Sequence, residues 1–268
     1  MGRRPKNDLL PRDALSGVRL GISVSQSPDL ARLGLVESHF RLALAEVTRL
    51  VLVSAGHLAY GGHLAPDGYT AFMTHELERY GRRDRPLHVC LSWSEHRKLP
   101  LSSLRAEEKR LGLCGRIIYL DPDGAVTSSD SDRGETPPPA PDATLVAKSL
   151  TGLRRYMTGI TQARVFIGGR RDGFQGAMPG LLEEAILAIE QGQPIYLAGG
   201  FGGLTLEIAI ALGLGERDWF PTQQGLSNAD QGLPVRLGRL REIVKCNKAQ
   251  SLANGLTEQQ NRQLAACH

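Results

Sequence analysis

The fold is decided by residues 163–191, which read ARVFIGGRRDGFQGAMPGLLEEAILAIEQ. Ala163–Ile167 is a short apolar run that predicts a β-strand, and Pro179–Gln191 carries an apolar face at helical spacing. Pro179 is typical of a first helical turn, and Gly192 is typical of a helix end. A strand joined to a helix by a glycine-rich loop is the repeating unit of an open parallel sheet.

The same order of strand, glycine-rich loop and helix occurs at two further places. Ala59–Tyr60 leads into a loop at 61–68 and a helix at Tyr69–Tyr80, and Pro194–Leu197 leads into Gly199–Gly203 and a helix that begins at Thr205. Additional strands are predicted at Val18–Val24 and Leu87–Leu91, helices at His39–Leu50, Ala143–Met157 and Leu237–Val244, and either a strand or the end of a helix at Leu50–Ser54. Strands that alternate with helices predict an α/β, Rossmann-like three-layer fold with a mainly parallel central sheet.

Composition divides the chain into three parts. Residues 1–16 are polar and predict a flexible tail, residues 17–215 predict one ligand-binding domain, and residues 216–268 predict a mostly helical C-terminal extension packed on that domain. Within the domain, residues 121–142 contain Asp-Pro-Asp-Gly and Pro-Pro-Pro runs that disfavour regular structure. A surface loop is favoured over a linker between domains, because strands with similar loops lie on both sides of it.

Composition and charge also exclude several classes of protein. No run approaches the roughly 20 apolar residues that a membrane helix needs, so no membrane association is expected. The 4 cysteines form no C-x-x-C pair and the histidines have no metal-like spacing, so a cytoplasmic protein without metal or cofactor is expected. The net charge of +4 is dispersed, and aromatic residues make up 5%, so nucleic acid is not an expected partner.

The glycine-rich loops combine features that suit a phosphorylated ligand. Backbone N–H groups near glycine can approach phosphate closely, a helix N-terminus favours negative charge, and arginine pairs bidentately with phosphate. The candidate ligand-binding residues are Ser23, Ser25, Gly61, Gly62, Gly68, Tyr69, Thr70, Gly168, Gly169, Arg170, Arg171, Gly173, Phe174, Gly176, Glu183, Gly199, Gly200, Phe201, Gly202 and Gly203.

Each loop also has a purely structural interpretation. The segment Tyr60–Thr70 is compatible with a tight turn that binds nothing, and Phe201 either stacks on a base or packs in the core. Glu183 and Glu184 either accept hydrogen bonds from ribose hydroxyls or complement the dipole of their helix. The first strand is not followed by G-x-G-x-x-G, and the chain has no Walker loop and no G-x-S-x-G elbow.

Four segments together resemble the SLOG superfamily, which joins the DNA-processing protein A and Lonely Guy folds. These segments are Gly21–Ser25, Tyr60–Thr70, Ser149–Glu184 and Pro194–Gly203. The chain is most similar to the prokaryotic SLOG modules that accompany TIR or Sir2 domains in antiviral systems. The resemblance implies a pocket for ADP-ribose, cyclic ADP-ribose isomers or NAD fragments, a homo-oligomer, and an effector partner such as a TIR or Sir2 protein.

The Lonely Guy branch of the superfamily is enzymatic, and its P-G-G-x-G-T-x-x-E signature carries a catalytic carboxylate. By this resemblance Glu184, with Glu183 beside it, corresponds to that carboxylate, although Leu181 stands where the signature has Thr. The first hypothesis is therefore a binding module or sensor for a nucleotide-derived signal, with ligand-dependent assembly. The alternatives are a nucleotide N-glycosidase or phosphoribohydrolase that uses Glu184 or Glu183, and an interaction scaffold.

Overall fold

A seven-stranded sheet forms the centre of the computed structural model, which describes residues 11–80, 82–215 and 232–246 and a few residues between 256 and 263. The strands are β1 (Arg19–Ser25), β2 (His57–Gly61), β3 (Leu87–Leu91), β4 (Gly115–Leu120), β5 (Val126–Thr127), β6 (Ala163–Gly168) and β7 (Ile195–Ala198). They lie in the order β5-β4-β3-β2-β1-β6-β7. Every neighbouring pair is parallel except β4 and β5, which confirms the predicted mainly parallel sheet.

Helices cover both faces of this sheet. They are α1 (Glu37–Val53), α2 (Tyr69–Tyr80), α3 (Trp93–His96), α4 (Leu101–Leu111), α5 (Ala143–Ile160), α6 (Gly180–Glu190), α7 (Gly203–Ala211) and α8 (Leu233–Cys246). On one face, Ile22 and Val24 of β1 pack with Phe40 of α1 and Met73 of α2. Since successive side chains of a strand point to opposite faces, Ser23 of β1 faces the other layer, where α5 and α6 lie. The three-layer, Rossmann-like prediction is confirmed.

Local sequence explains where several of these elements begin and end. Helix α1 buries side chains at helical spacing, including Phe40, Leu44 and Val51, and it continues to Val53, so residues 50–54 belong to its end and not to a strand. Asp142 caps α5, because its side chain accepts a hydrogen bond of 2.8 Å from the N–H of Leu145.

Four elements were not predicted from the sequence, namely α3, α4, β4 and β5. The two-residue strand β5 lies within the predicted surface loop 121–142, the rest of which contains no helix or strand. A strand this short carries no pattern of its own, and its antiparallel pairing of Leu120 with Val126 depends on the turn between them.

The two ends of the chain are only partly described. Of the predicted tail 1–16, residues 11–16 are described, and the N–H of Leu15 donates to the carbonyl of Ser54 at 2.8 Å. Of the predicted extension 216–268, α8 packs on α6 and α7 through Leu233, Leu237 and Leu240. The described helices include none with the length and apolar character needed to cross a membrane.

The order of the strands reverses at β1. From β1 the chain adds β2, β3 and β4 on one side, and it returns to the other side of β1 with β6 and β7. In open parallel sheets, ligands bind outside the carboxyl ends of the strands at such a reversal. The topology therefore points to the carboxyl end of β1 and its two neighbours.

Candidate ligand-binding site

An open cavity of about 510 Å³ lies at the carboxyl ends of β1 and β2. It is lined by the ends of β1 and β2, the first two turns of α1, the start of α2, the loop between β2 and α2, and one residue from the loop after β6. These lining residues are Val24, Ser25, Gln26, Glu37, Arg41, Tyr60, Gly61, Gly62, His63, Asp67, Gly68, Tyr69 and Arg170. The volume is within the range of small-molecule pockets, about 300–1,000 Å³.

Six of the residues predicted from the sequence line this cavity, namely Ser25, Gly61, Gly62, Gly68, Tyr69 and Arg170. Two charged residues of α1, Glu37 and Arg41, also line the cavity and were not predicted from the sequence. Their signal in the sequence is a carboxylate and an arginine four residues apart, close to the start of the helix predicted at His39–Leu50. That spacing is also typical of an ordinary surface ion pair, so the sequence alone does not single them out.

Glu37 joins α1 to α2 at the wall of the cavity. The hydroxyl of Tyr69 donates to Glu37 Oε1 at 3.2 Å, and Arg41 Nε donates to the same oxygen at 3.3 Å. Arg41 Nη2 also donates to the carbonyl of Asp67 at 2.8 Å, which anchors the loop before α2. Burial and the negative charge of Glu37 raise the pKa of Tyr69, so its hydroxyl stays protonated and remains a donor.

The cavity also carries positive charge, from Arg41 and Arg170, beside the carboxylates of Glu37 and Asp67. Arg170 is exposed, and its one hydrogen bond within the described chain runs from Nη2 to Gln26 Oε1 at 3.2 Å. The N–H groups of Tyr69, Thr70 and Ala71 open α2, and among the described residues none of them has a hydrogen-bond acceptor. A helix N-terminus flanked by two guanidinium groups favours an anion.

The packing of the chain leaves little room for a side chain at Gly61, the last residue of β2, or at Gly62, which follows it. A Cβ at Gly61 would lie 2.5 Å from Met157 Sδ, and a Cβ at Gly62 would lie 2.2 Å from the ring of Tyr60. The hydroxyl of Thr70 is fully buried and donates to the carbonyl of His63 at 2.8 Å. Thr70, a predicted ligand residue, therefore stabilises the shape of the loop and does not line the cavity.

The loops after β6 and β7 pack against each other. The N–H of Leu204 donates to the carbonyl of Gly169 at 2.8 Å, and the N–H of Gly169 donates to the carbonyl of Ser25 at 3.0 Å. Gly203 has a φ of +65°, and a Cβ there would lie 2.6 Å from the carbonyl oxygen of Gly169. Glycine is needed here because two backbones approach each other and because the conformation is left-handed.

We expect Gly203→Ala to lower the free energy of unfolding by at least about 1–3 kcal/mol, since a left-handed non-glycine residue is strained and its Cβ would overlap the backbone. Gly200 in the same loop is the control, because a Cβ there meets no atom within 4 Å. Gly200→Ala should change stability by no more than about 0.5 kcal/mol. Urea unfolding of both variants measures the difference, and equal stabilities would contradict this account of the loop.

Arg171 lies inside the protein, unlike its neighbour Arg170. Its side chain is 4% exposed, and it binds Asp29 through both terminal nitrogens and lies 3.4 Å from Glu207 Oε1 through Nε. The N–H of Gly203 also donates to Asp29 Oδ2 at 2.7 Å. Burial alone would raise the pKa of Asp29, but the hydrogen bonds from Arg171 and Gly203 and the nearby positive charges lower it overall. Arg171, predicted as a phosphate ligand, thus cross-links the loops.

Glu183 lies in the first turn of α6 and Glu184 directly follows it, both in the layer opposite α1 and α2. Glu183 accepts a hydrogen bond of 2.6 Å from Thr151 and forms an ion pair with Arg154. Glu184 accepts a hydrogen bond from the hydroxyl of Ser23, and Arg164 Nη1 donates to it at 2.8 Å. The two carboxylates are 10% and 14% exposed, and neither lines the cavity.

The other predicted residues have contacts away from the cavity. Phe201 packs edge-on against Phe40, with 5.4 Å between ring centroids, and Arg236 of α8 lies 5.4 Å from the ring of Phe174. The glycines that also lie outside the cavity lining are Gly168, Gly169, Gly173, Gly176, Gly199, Gly200, Gly202 and Gly203. Within the described chain, His, Cys, Asp and Glu residues form no group of three or more that could hold a metal ion.

Comparison with known proteins identifies the family. No curated protein and no solved structure is significantly similar to the chain. The model of a protein family described as SLOG cluster2 matches residues 14–264, which include all seven strands and every residue that lines the cavity. Since the match spans most of the chain and the sheet is Rossmann-like, this protein belongs to the SLOG cluster2 family.

Proposed function

We propose that this protein binds a phosphorylated, nucleotide-derived ligand in the cavity at the carboxyl ends of β1 and β2, and that it acts as a sensor of that ligand. The observation that carries the proposal is the presence of Arg41, Arg170 and the N-terminus of α2 around one cavity of about 510 Å³. Membership of a SLOG family supports a nucleotide-related ligand. The ligand class is ADP-ribose, a cyclic ADP-ribose isomer or an NAD fragment.

Each group at the cavity has a role that follows from its contacts. Arg170 is exposed and forms a single hydrogen bond to Gln26, so most of its donors are available to phosphate oxygens. Arg41 is held by Glu37 and by the carbonyl of Asp67, so its guanidinium has a fixed position and its charge is paired with the carboxylate of Glu37. The N–H groups that begin α2 supply further donors for an anion.

The contacts disfavour catalysis by Glu183 or Glu184. A catalytic carboxylate has to reach the reacting atoms of its substrate, whereas Glu183 and Glu184 are ion-paired in the opposite layer. An assay for release of the base from AMP or NAD by the purified protein tests the N-glycosidase alternative. Turnover that is lost in Glu184→Gln with binding retained would replace the sensor proposal.

A sensor needs an output, and the SLOG resemblance suggests one. In this proposal the protein is cytoplasmic, ligand binding changes its homo-oligomeric assembly, and a separate effector such as a TIR or Sir2 protein responds in antiviral defence. Light scattering with and without ADP-ribose tests the assembly step. An unchanged particle mass at saturating ligand would favour a scaffold over a ligand-driven assembly.

We expect ADP-ribose or a related adenine nucleotide to raise the melting temperature, because a ligand that binds only the folded state stabilises it by about 2.7 kcal/mol at 100 times its Kd. Arg170→Ala should weaken binding by at least about tenfold, since hydrogen bonds to charged groups contribute about 1.5–3 kcal/mol. Thermal shift and calorimetric titration measure both effects.

Arg155→Ala is the control for that experiment. Arg155 is an exposed arginine of α5 and does not line the cavity, so its loss removes the same charge without removing a proposed contact. Equal losses of affinity in both variants would mean that Arg170 acts only through net charge. No thermal shift with any nucleotide of the panel at millimolar concentration would overturn the proposed function.

A further inference from the structure

Glu37 has one carboxylate oxygen that is fixed and one that is available. Oε1 accepts hydrogen bonds from the Tyr69 hydroxyl and from Arg41 Nε, while no described residue donates to Oε2. The side chain is 38% exposed and lines the cavity. An ionised carboxylate only accepts hydrogen bonds, so Oε2 is suited to a hydroxyl or N–H group of whatever occupies the cavity.

The position of this carboxylate is set from two helices. Tyr69 approaches from the first turn of α2 and Arg41 from the next turn of α1, and Arg41 is itself anchored on the carbonyl of Asp67 at 2.8 Å. A carboxylate held by two donors loses little freedom when it binds a third. Glu37 is therefore preorganised as an acceptor at one wall of the cavity.

The positive and negative groups of the cavity suit two different parts of a ligand. Arg170 and the N-terminus of α2 attract phosphate, whereas the carboxylates of Glu37 and Asp67 repel it, and Glu37 Oε2 can accept a hydrogen bond from a hydroxyl. A ribonucleotide carries both kinds of group, an anionic phosphate and a sugar with neighbouring hydroxyls. A phosphate placed on those hydroxyls would instead bring two negative charges together, which is a common means of rejecting a similar ligand.

We infer that Glu37 accepts a hydrogen bond from a ribose hydroxyl, so that the cavity selects ribonucleotides whose 2′ and 3′ hydroxyls are free. The inference rests on the proposed function and adds the specificity of the same cavity. The cavity then selects against two related classes of ligand. Deoxyribonucleotides lack the hydroxyl donor, and nucleotides phosphorylated on the ribose carry a charge that Glu37 repels.

Calorimetric titration of the full chain with matched adenine nucleotides tests this inference. The probes are ADP, 2′-deoxy-ADP, 3′-deoxy-ADP and ADP with an additional 2′-phosphate or 3′-phosphate. We expect ADP to bind at least about tenfold more tightly than one of the two deoxy forms, because a hydrogen bond to a charged group has about this effect on affinity. ADP should also bind at least about tenfold more tightly than the forms that carry an additional ribose phosphate, because Glu37 repels that phosphate.

Glu37→Gln and Glu37→Ala separate the two parts of the selection. Glu37→Gln keeps an acceptor but removes the charge, so discrimination against the ribose phosphate should fall while the preference for ADP over the deoxy form is partly kept. Glu37→Ala should lose both the preference for ADP over the deoxy form and the discrimination against the ribose phosphate. Glu46→Gln is the control, because Glu46 lies on the same helix, is exposed, pairs with Arg49 and does not line the cavity.

The outcomes separate this inference from the proposed function. If ADP binds but the deoxy and phosphorylated forms bind equally well, the inference is overturned and nucleotide binding stands. If no nucleotide binds, the proposed function fails and the inference fails with it. The titrations of the unmodified chain decide this even if a Glu37 variant folds poorly, and circular dichroism checks the fold of each variant.

Discussion

Arg171→Ala is expected to lower the free energy of unfolding by about 3–5 kcal/mol, the usual cost of removing one partner from a buried ion pair. The side chains of Arg171, Asp29 and Glu207 are 4%, 4% and 5% exposed. Without the guanidinium, the buried carboxylates of Asp29 and Glu207 each lose a partner, and Arg32 remains as a cation 3.3 Å from Asp29. Guanidinium chloride unfolding monitored by circular dichroism measures the loss.

Arg170, the sequence neighbour of Arg171, provides the control. Arg170 is exposed and makes one hydrogen bond to Gln26, so Arg170→Ala should change stability by no more than about 0.5 kcal/mol. The same variant is the one expected to lose nucleotide affinity. Two adjacent arginines should thus separate folding from binding, and similar stabilities of the two variants would show that the Asp29–Arg171–Glu207 cluster contributes little.

Arg164→Met is expected to destabilise the protein by a similar amount, about 3–5 kcal/mol. Arg164 belongs to β6, and its side chain is fully buried. It donates to Glu184 of α6 at 2.8 Å and to the hydroxyl of Thr158 of α5 at 3.3 Å. Methionine fills much of the space but leaves Glu184 charged, with Arg154 Nε at 3.9 Å.

A double-mutant cycle isolates the ion pair from the loss of packing. Glu184→Gln in the Arg164→Met background removes the carboxylate charge that has lost Arg164, so the double variant should be more stable than the sum of the two single losses predicts. A coupling free energy of about 0.5–3 kcal/mol is expected for residues in contact. Strictly additive losses would mean that Arg164 stabilises the protein by packing alone.

The mainly parallel sheet was predictable because its signals are local. Ala163–Ile167, the glycines that follow and the apolar face after Pro179 describe a strand, a loop and a helix within 29 residues, and the pattern recurs. Strands β4 and β5 were not predicted. The pairing of β5 arises from a turn and a partner strand, and a two-residue segment has no periodicity to detect.

The candidate cavity was predictable only in part. The sequence indicated the loop before α2 and Arg170, which the structure brings together with the end of β1. It did not indicate Glu37, because a carboxylate in a first helical turn is explained equally well by the helix dipole. Its contact with Tyr69 joins residues 32 positions apart.

By itself, then, the sequence determined the class of fold, the places where strands end in glycine-rich loops, and a resemblance to the SLOG superfamily. Only the tertiary structure decided which of those loop residues line a cavity and which are buried. Arg170 and Arg171 have the same chemistry and adjacent positions, yet one lines the cavity and the other is held by Asp29, 142 residues away. Apolar periodicity and glycine-rich loops are patterns of a few neighbouring residues, so the sequence shows them directly. Burial and ion pairing are instead set by contacts between elements that are distant in the chain.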